Sequence, residues 1–443
     1  MTPEEARKHE SLDVAIVGAG AAGVGVGAVL ADLGLDSYAI LERDEVGASF
    51  QQWPEEMRLI TPSFPGNSFG CRDLNAVTTD TSPAFALDRE HPSGGEYAEY
   101  LQGVVEFHDL PVRTGVEVES VQQHDDGFVL HTSTGVIQSQ FVIWAAGQFG
   151  QPNDDPFPGA SHCVHNSRVK SWSAFADECV DDPVVVIGGY ESGIDAALAL
   201  ADQGQEVLVV DEEGPWQFRG PDPSEVLSPY TSQRLQDAFE HDAPIALEDG
   251  IRVKRVEVEE ETFNVIGTDG ASFTTRNRPV LATGFESGLG LVDEHFEFEN
   301  GQPQLTERDE STTTPGLFLA GPQVAHNGQQ FCFIYKFRQR FAVVADKIAA
   351  RLDIDRTPST STVRRACSSR TCPAANPTCA TADHDTRDFD GRQRNRTVER
   401  GERRRPPRLP DDGPRTGARR QVRHLALSAV VPRTSSEDGI QKV

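Results

Sequence analysis

Apolar positions along the chain fall into a recurring order of strand, glycine turn and helix. Residues 13–17 are a short apolar run, 21–33 a stretch of small residues with helical spacing, and 37–41 a second apolar run ending at Glu42. That order predicts a βαβ unit, since buried parallel strands read as continuous apolar runs joined through a crossover helix. Residues 116–121, 127–132 and 136–145 then predict a three-stranded meander ending at Ala145-Ala146-Gly147. The same parts return later. Residues 184–187, 192–201 and 206–210 predict a second βαβ unit ending at Asp211, and residues 251–258, 262–267 and 271–280 a second meander closing at Ala282-Thr283-Gly284. A run at 316–320 predicts one more buried strand, and Phe331, Ile334, Tyr335, Phe341, Val344 and Ile348 give residues 329–352 the spacing of a helix.

The duplicated order predicts an α/β fold of two Rossmann-like, doubly wound, three-layer dinucleotide-binding domains, each with a small β-meander. The first is discontinuous, residues 12–160 and 286–354, and the second, residues 165–285, is inserted into it. Beyond residue 357 the chain turns to Arg, Pro, Ser and Thr with few apolar positions, which predicts a tail without a packed core. A reading-frame change in a GC-rich gene is the alternative origin of such a tail. Cys367, Cys372 and Cys379 within it match no usual zinc spacing, and no metal site is expected anywhere in the chain.

Chemistry concentrates at the two turns. Gly18-Ala-Gly20-Ala-Ala-Gly23 lies between the first strand and its helix, as a dinucleotide fingerprint requires. Gly18 allows the tight turn, Gly20 the approach of a pyrophosphate to the backbone, and Gly23 the packing of helix on strand. Glu42 ends the next strand where an acid holds a ribose hydroxyl. The second turn reads Gly188-Gly189-Tyr190-Glu191-Ser192-Gly193, with Tyr190 at the position of the second glycine and Asp211 at the position of the ribose acid. Gly188, Gly189, Ser192, Gly193 and Asp211 are the second set of candidate cofactor contacts. Acids at 211–213 repel a 2′-phosphate, which favours NADH over NADPH.

Charge narrows the partners. The chain has 443 residues, with 69 acidic and 41 basic side chains, and residues 361–443 hold 18 of the basic and 10 of the acidic ones. The first 360 residues therefore carry a net charge of −36. Such a field predicts a surface suited to molar salt, where screening shortens to about 3 Å, with an ordinary acidic enzyme as the alternative. It also argues against nucleic acid or an anionic membrane as partner. The polar first eleven residues, the lack of a long apolar run and the scattered cysteines give the expectation of a reduced, cytoplasmic protein acting on a small molecule, with a homodimer left open.

The two fingerprints, the closing Ala145-Ala146-Gly147 and Ala282-Thr283-Gly284 strands, and Thr314-Pro-Gly-Leu-Phe-Leu-Ala-Gly321 resemble the two-dinucleotide flavoprotein superfamily, which includes thioredoxin reductases and flavin-containing monooxygenases. The resemblance spans roughly residues 12–352. It implies FAD in the first lobe and NADH or NADPH in the second, with Gly147, Gly284 and Gly321 at cofactor-facing turns. It also implies that the last helix, starting near Gln329 and Gln330, points its N-terminus at the flavin. Glu42-Arg43, Gly47 to Phe50, Trp53 and Arg58 to Pro62 are similar to monooxygenase-like flavoproteins, which adds Arg43 and Trp53 to the candidate contacts. Two positions depart from that pattern: Cys163 stands where the monooxygenase motif after Phe157 has His, and Pro322 stands where an Asp commonly follows Gly321. The paired thiols of thioredoxin reductases are missing from the second lobe, and Cys332 is the one thiol placed to act, against a packing role between Phe331 and Phe333. Three readings stand open. Monooxygenation leads, reduction of a small disulfide or quinone follows, and a non-catalytic redox or nucleotide sensor is the rival suggested by Tyr190.

Overall fold

The computed structural model describes residues 10–66, 70–220, 222 and 224–354. The expectations for the tail, including its three cysteines, lie outside the described residues.

The first lobe is built on a seven-stranded sheet. Its order runs Val112–Arg113, Tyr38–Leu41, Glu10–Val17, Gly135–Trp144, Gly127–Thr132 and Val118–His124, and Leu317–Leu319 also pairs with Gly135–Trp144. Glu10–Val17 lies parallel to both of its neighbours, with Val14 opposite Tyr38 on one side and Phe141 on the other. Gly135–Trp144 is one unbroken ten-residue strand with two roles. Residues 135–139 of it pair antiparallel with the meander on one edge, while residues 137–144 pair parallel with Glu10–Val17 on the other. Helix Ala21–Asp32 covers one face of the sheet, and its Val24 and Val26 are fully buried beside Phe341 and Val344 of the last helix, Phe341–Arg351.

The second lobe repeats the plan with one difference. Its parallel sheet runs Ile245–Glu248, Val207–Val210, Val184–Ile187, Val280–Leu281 and Val164–His165. The single strand predicted over 271–280 is instead two, Ser272–Thr275 in the separate meander sheet and Val280–Leu281 in the parallel sheet. Pro279 cannot donate to a ladder, and buried Asn277 turns its side chain to Val180, giving Nδ2–H to its carbonyl at 3.1 Å and accepting its N–H at 2.8 Å.

Two further helices are absent from the periodicity reading. Gly94–Phe107 starts in a capping box in which Ser93 and Glu96 satisfy each other's backbone N–H groups. Pro229–Glu240 is capped by Ser228, with Pro at its first position.

The region 329–352 also differs from its prediction. Ala325–His326 and Gln329–Gln330 form a hairpin whose turn residues, Asn327 and Gly328, have φ of 52° and 77°. Both left-handed positions match the tight turn that Asn-Gly favours. The helix begins only at Ile334, as Ile334–Phe337, and continues through a 3₁₀ turn into Phe341–Arg351. Among the described residues no helix is long and apolar enough to cross a membrane.

Candidate functional site

Gly18 has φ of 102°, a left-handed value that folds the chain back on itself directly after the strand. A side chain on Gly23 would overlap the Gly18 carbonyl oxygen, so this glycine lets the helix sit on the turn. Gly20 differs from both. It caps helix Ala21–Asp32 with φ −80° and ψ −170°, extended backbone open to any residue, and an added Cβ would meet nothing within 4 Å. It is small for the sake of the space in front of it. Glu42 closes the turn from the side: its Oε2 accepts from Ala19 N–H at 2.7 Å and its Oε1 from Asp44 N–H at 3.0 Å. A carboxylate has about four acceptor positions, so lone pairs remain for the hydroxyls of a ribose.

That space opens into a cavity of about 880 Å³. Gly18, Gly20, Glu42, Arg43, Trp53 and Gly147 all line it. A cradle with an open Gly20, helix N–H groups and a free-edged acid fits the pyrophosphate and ribose of FAD, and Gly147, where a Cβ would also meet nothing within 4 Å, leaves the opposite wall open. Buried Asn75 lines the same cavity, and its Oδ1 has no hydrogen-bond partner among the described residues. Nothing in the sequence pattern singled it out. The segment after Ala282-Thr283-Gly284 was missed in the same way: Gly288 and Leu291 belong to the cavity wall, and the Gly288 carbonyl accepts from Trp144 Nε1–H at 2.7 Å. These residues reach the wall through tertiary packing, with no local pattern to mark them.

Cys332, Phe333 and Ile334 form the wall beside the start of the last helix. The Cys332 Sγ lies 3.0 Å from Ser224 Oγ. Lys336 Nζ donates to that same Oγ at 2.7 Å and to Asp222 Oδ1 at 2.7 Å. The Lys336 ammonium beside Asp222 holds its carboxyl down to about 2. Ser224 Oγ and Cys332 Sγ share one hydrogen bond in which either atom can be the donor.

The second turn has the backbone of the first. Gly188 has φ of 104°, a Cβ on Gly193 would overlap the Gly188 oxygen, and Gly189 N–H donates to Asp211 Oδ2 at 2.7 Å. Tyr190, at the cap, has φ −84° and ψ −163°. The side chains are different. The Tyr190 hydroxyl donates to the Val226 carbonyl at 3.1 Å. Glu191, in the first helical turn, accepts from Ser228 N–H, Ser228 Oγ–H and Thr231 Oγ1–H. Burial pushes its carboxyl above the ordinary value against those bonds. The Trp216 indole covers Gly189 so closely that a Cβ there would overlap the ring.

The structure distributes the sequence-derived candidates unevenly. Gly188, Gly189, Ser192, Gly193 and Asp211 sit in the second lobe, outside the cavity lining; Gly284 directly precedes the lining residue Phe285, and Gly23 and Gly321 are also outside the lining. Pro322, next to Gly321, does line it. Gln329 and Gln330 are corrected: they form a strand of the hairpin, outside the lining, and the helix that borders the cavity starts at Ile334. His165 and His326 have structural partners, the Gly284 carbonyl and Asp309 respectively.

Residues 15–321 match the pyridine nucleotide-disulphide oxidoreductase family. Bacilliredoxin reductase Bdr of Bacillus subtilis is 25% identical over 340 residues, 76% of this chain and 97% of its own. A ferredoxin–NADP reductase of Gluconacetobacter diazotrophicus is 26% identical over 335 residues, 72% of this chain and 85% of its own. In fold, the bacillithiol disulfide reductase Bdr from Staphylococcus aureus superposes with a TM-score of 0.63 at 22% identity, over 77% of this chain and 99% of its own. A flavin-containing monooxygenase from Stenotrophomonas maltophilia does so at 0.60 and 19%, over 77% and 99%. The chain belongs to the pyridine nucleotide-disulphide oxidoreductase family and is an NAD(P)H-dependent flavin oxidoreductase.

Proposed function

We propose that this chain reduces a small disulfide, using FAD held in the first-lobe cavity and NADH as hydride donor. The observation that carries the reading is Cys332, whose thiol stands in the wall of the flavin cavity with Ser224 and Lys336 behind it. A thiolate is the nucleophile in disulfide exchange, and a hydroxyl held by an ammonium can donate to it. The Cys332 thiolate attacks one sulfur of R–S–S–R, forms Cys332–S–S–R and releases RS⁻, which takes a proton from solvent. Cleavage of the mixed disulfide takes two electrons, which bound FAD would supply, and one proton, restoring the Cys332 thiolate and releasing RSH. Asp211, Glu212 and Glu213 support NADH, since Arg252, which could meet a 2′-phosphate, is paired with Glu212 at 3.4 Å.

The test is anaerobic turnover of a small symmetric disulfide by holoenzyme in high salt. Cys332→Ser should lose roughly a hundredfold or more of disulfide turnover while NADH still bleaches the flavin. Undiminished turnover in that variant would remove the thiol from the reaction. Monooxygenation is the second reading, favoured by Arg43, Trp53, Leu59 and Thr61 in the cavity wall, within the monooxygenase-like segment. Oxygen uptake in step with an oxygenated organic product, undisturbed in Cys332→Ser, would favour it.

A further inference from the structure

Asn75 is held by the protein at every polar group but one. It is 1% exposed, its backbone N–H donates to Asp73 Oδ1 at 3.0 Å, and its carbonyl accepts from the Tyr97 hydroxyl at 2.7 Å. Its amide nitrogen gives both hydrogens away, to the Thr61 carbonyl at 2.7 Å and to Ser63 Oγ at 2.8 Å. A carbonyl can only accept, so the Thr61 oxygen fixes the nitrogen on its side and leaves Oδ1 on the other. The turn that carries Asn75 is clamped as well, since Arg338 Nη1 donates to the carbonyls of Asp73 and Ala76. Arg338 directly follows Phe337, which lines the cavity together with Ile334, Thr61 and Asn75 itself. Of the buried side-chain atoms that lack a hydrogen-bond partner among the described residues, Asn75 Oδ1 is the one whose residue belongs to the cavity wall. A buried acceptor left without a donor is rare in a folded protein, and what fills the cavity is the donor that remains to it.

We propose that Asn75 recognises the flavin ring: its Oδ1 accepts the N3–H of the isoalloxazine. The proposal rests on FAD filling the first-lobe cavity, as in the reading above, and is independent of the substrate that the flavin serves. The oxidised ring carries a single N–H, at N3, while its two carbonyl oxygens and its N1 and N5 only accept. With the phosphates at Gly20 and the adenosine ribose at Glu42, the ring is left to the wall of Trp53, Leu59, Thr61 and Ile334, where Asn75 stands. N3 keeps its hydrogen when the ring is reduced. The bond therefore holds both redox states alike, securing the flavin without setting its potential. Because the amide is already fixed by Thr61 and Ser63, Asn75 loses no rotamer freedom when the ring arrives.

The experiment titrates the full-length chain, freed of flavin, with FAD and with 3-methyl-FAD, in which a methyl group replaces that hydrogen, and follows the quenching of flavin fluorescence. Wild type should bind 3-methyl-FAD more weakly than FAD by on the order of tenfold or more. In Asn75→Ala, which removes the oxygen and makes room for the methyl group, the two flavins should bind within about twofold of each other. Ser63→Ala disturbs the same amide from its nitrogen side and should keep the wild-type preference. The reduction potential of the bound flavin should be the same in wild type and Asn75→Ala. A wild type indifferent to the methyl group overturns the proposal whatever the variants do. So does an Asn75→Ala protein that weakens both flavins equally, which makes the residue a structural brace or puts a ribityl hydroxyl on its oxygen. A flavin harder to reduce in Asn75→Ala would put the oxygen at N5, which gains a hydrogen only on reduction, and overturn the assignment to N3. If wild type binds neither flavin, the FAD reading falls and the proposal with it.

Discussion

The two glycine turns are the same piece of backbone used twice, and they part company only in what stands on it. Gly18 and Gly188 share a left-handed φ near 100°, and Gly23 and Gly193 each press against the oxygen of the first glycine. Where the first lobe has Ala19, Gly20 and Ala21, the second has Gly189 under an indole, Tyr190 and Glu191. The comparison separates the roles of the three glycines. The first and third are demanded by geometry that no side chain tolerates, whereas the second is small only so that a ligand can come close, since both lobes hold that position in ordinary extended backbone.

If that separation is right, Gly20→Tyr gives a protein that folds and has lost its flavin. FAD content, read from the ratio of flavin to protein absorbance, should fall by roughly a hundredfold, because the ring displaces pyrophosphate contacts of several kcal/mol. A variant that unfolds instead would show that the backbone itself needs glycine there. The converse change, Tyr190→Gly, is smaller. It removes the bond to Val226 and the packing of the ring, for a loss of about 2 kcal/mol in denaturant unfolding, and it should improve dinucleotide binding severalfold. No gain in binding would show that the Tyr190 ring does not stand in the dinucleotide's way.

The smallest expected effect concerns pH. Glu191 holds its proton more tightly in the folded chain than in the unfolded one, because burial, joined by nearby Asp195, outweighs its hydrogen bonds. The stability it contributes is therefore complete below the ordinary carboxylate value and lost as pH rises through the raised one. Over the same range a negative charge appears at the helix end that, in the proposed reading, meets a pyrophosphate. Wild-type affinity for NAD⁺ should accordingly weaken a fewfold as pH rises through that window, and Glu191→Gln should flatten the profile. A wild-type profile already flat would place the carboxylate too far from the pyrophosphate to matter.

Much of this contrast was legible before any coordinates. The fingerprint at 18–23, the acids at 42 and 211 and the departure at Tyr190 are local features, and a strand, turn and helix of about thirty residues can be read from spacing alone. Trp216 over Gly189, and Glu191 tied to Ser228 and Thr231, are contacts across 27 to 40 positions that no periodicity announces. The misreading at Gln329 and Gln330 has a different origin. Phe331, Ile334 and Tyr335 fit helical spacing, and that pattern outweighed the Asn327-Gly328 pair, which is a strong hairpin signal. Asn75 and Gly288 could not have been found, since one is a lone polar residue and the other one glycine among 39.

The unbroken strand Gly135–Trp144 has a consequence for how the molecule comes apart. In the first lobe, meander and nucleotide sheet share a continuous ladder, so opening one frays the other and amides along the strand exchange with solvent only in a common event. In the second lobe the break at residues 276–279 leaves the meander as a three-stranded unit of its own, free to open and reclose beneath a parallel sheet that stays protected. The expected outcome in hydrogen exchange is one cooperative opening for the first lobe and an earlier, separate opening of the meander in the second.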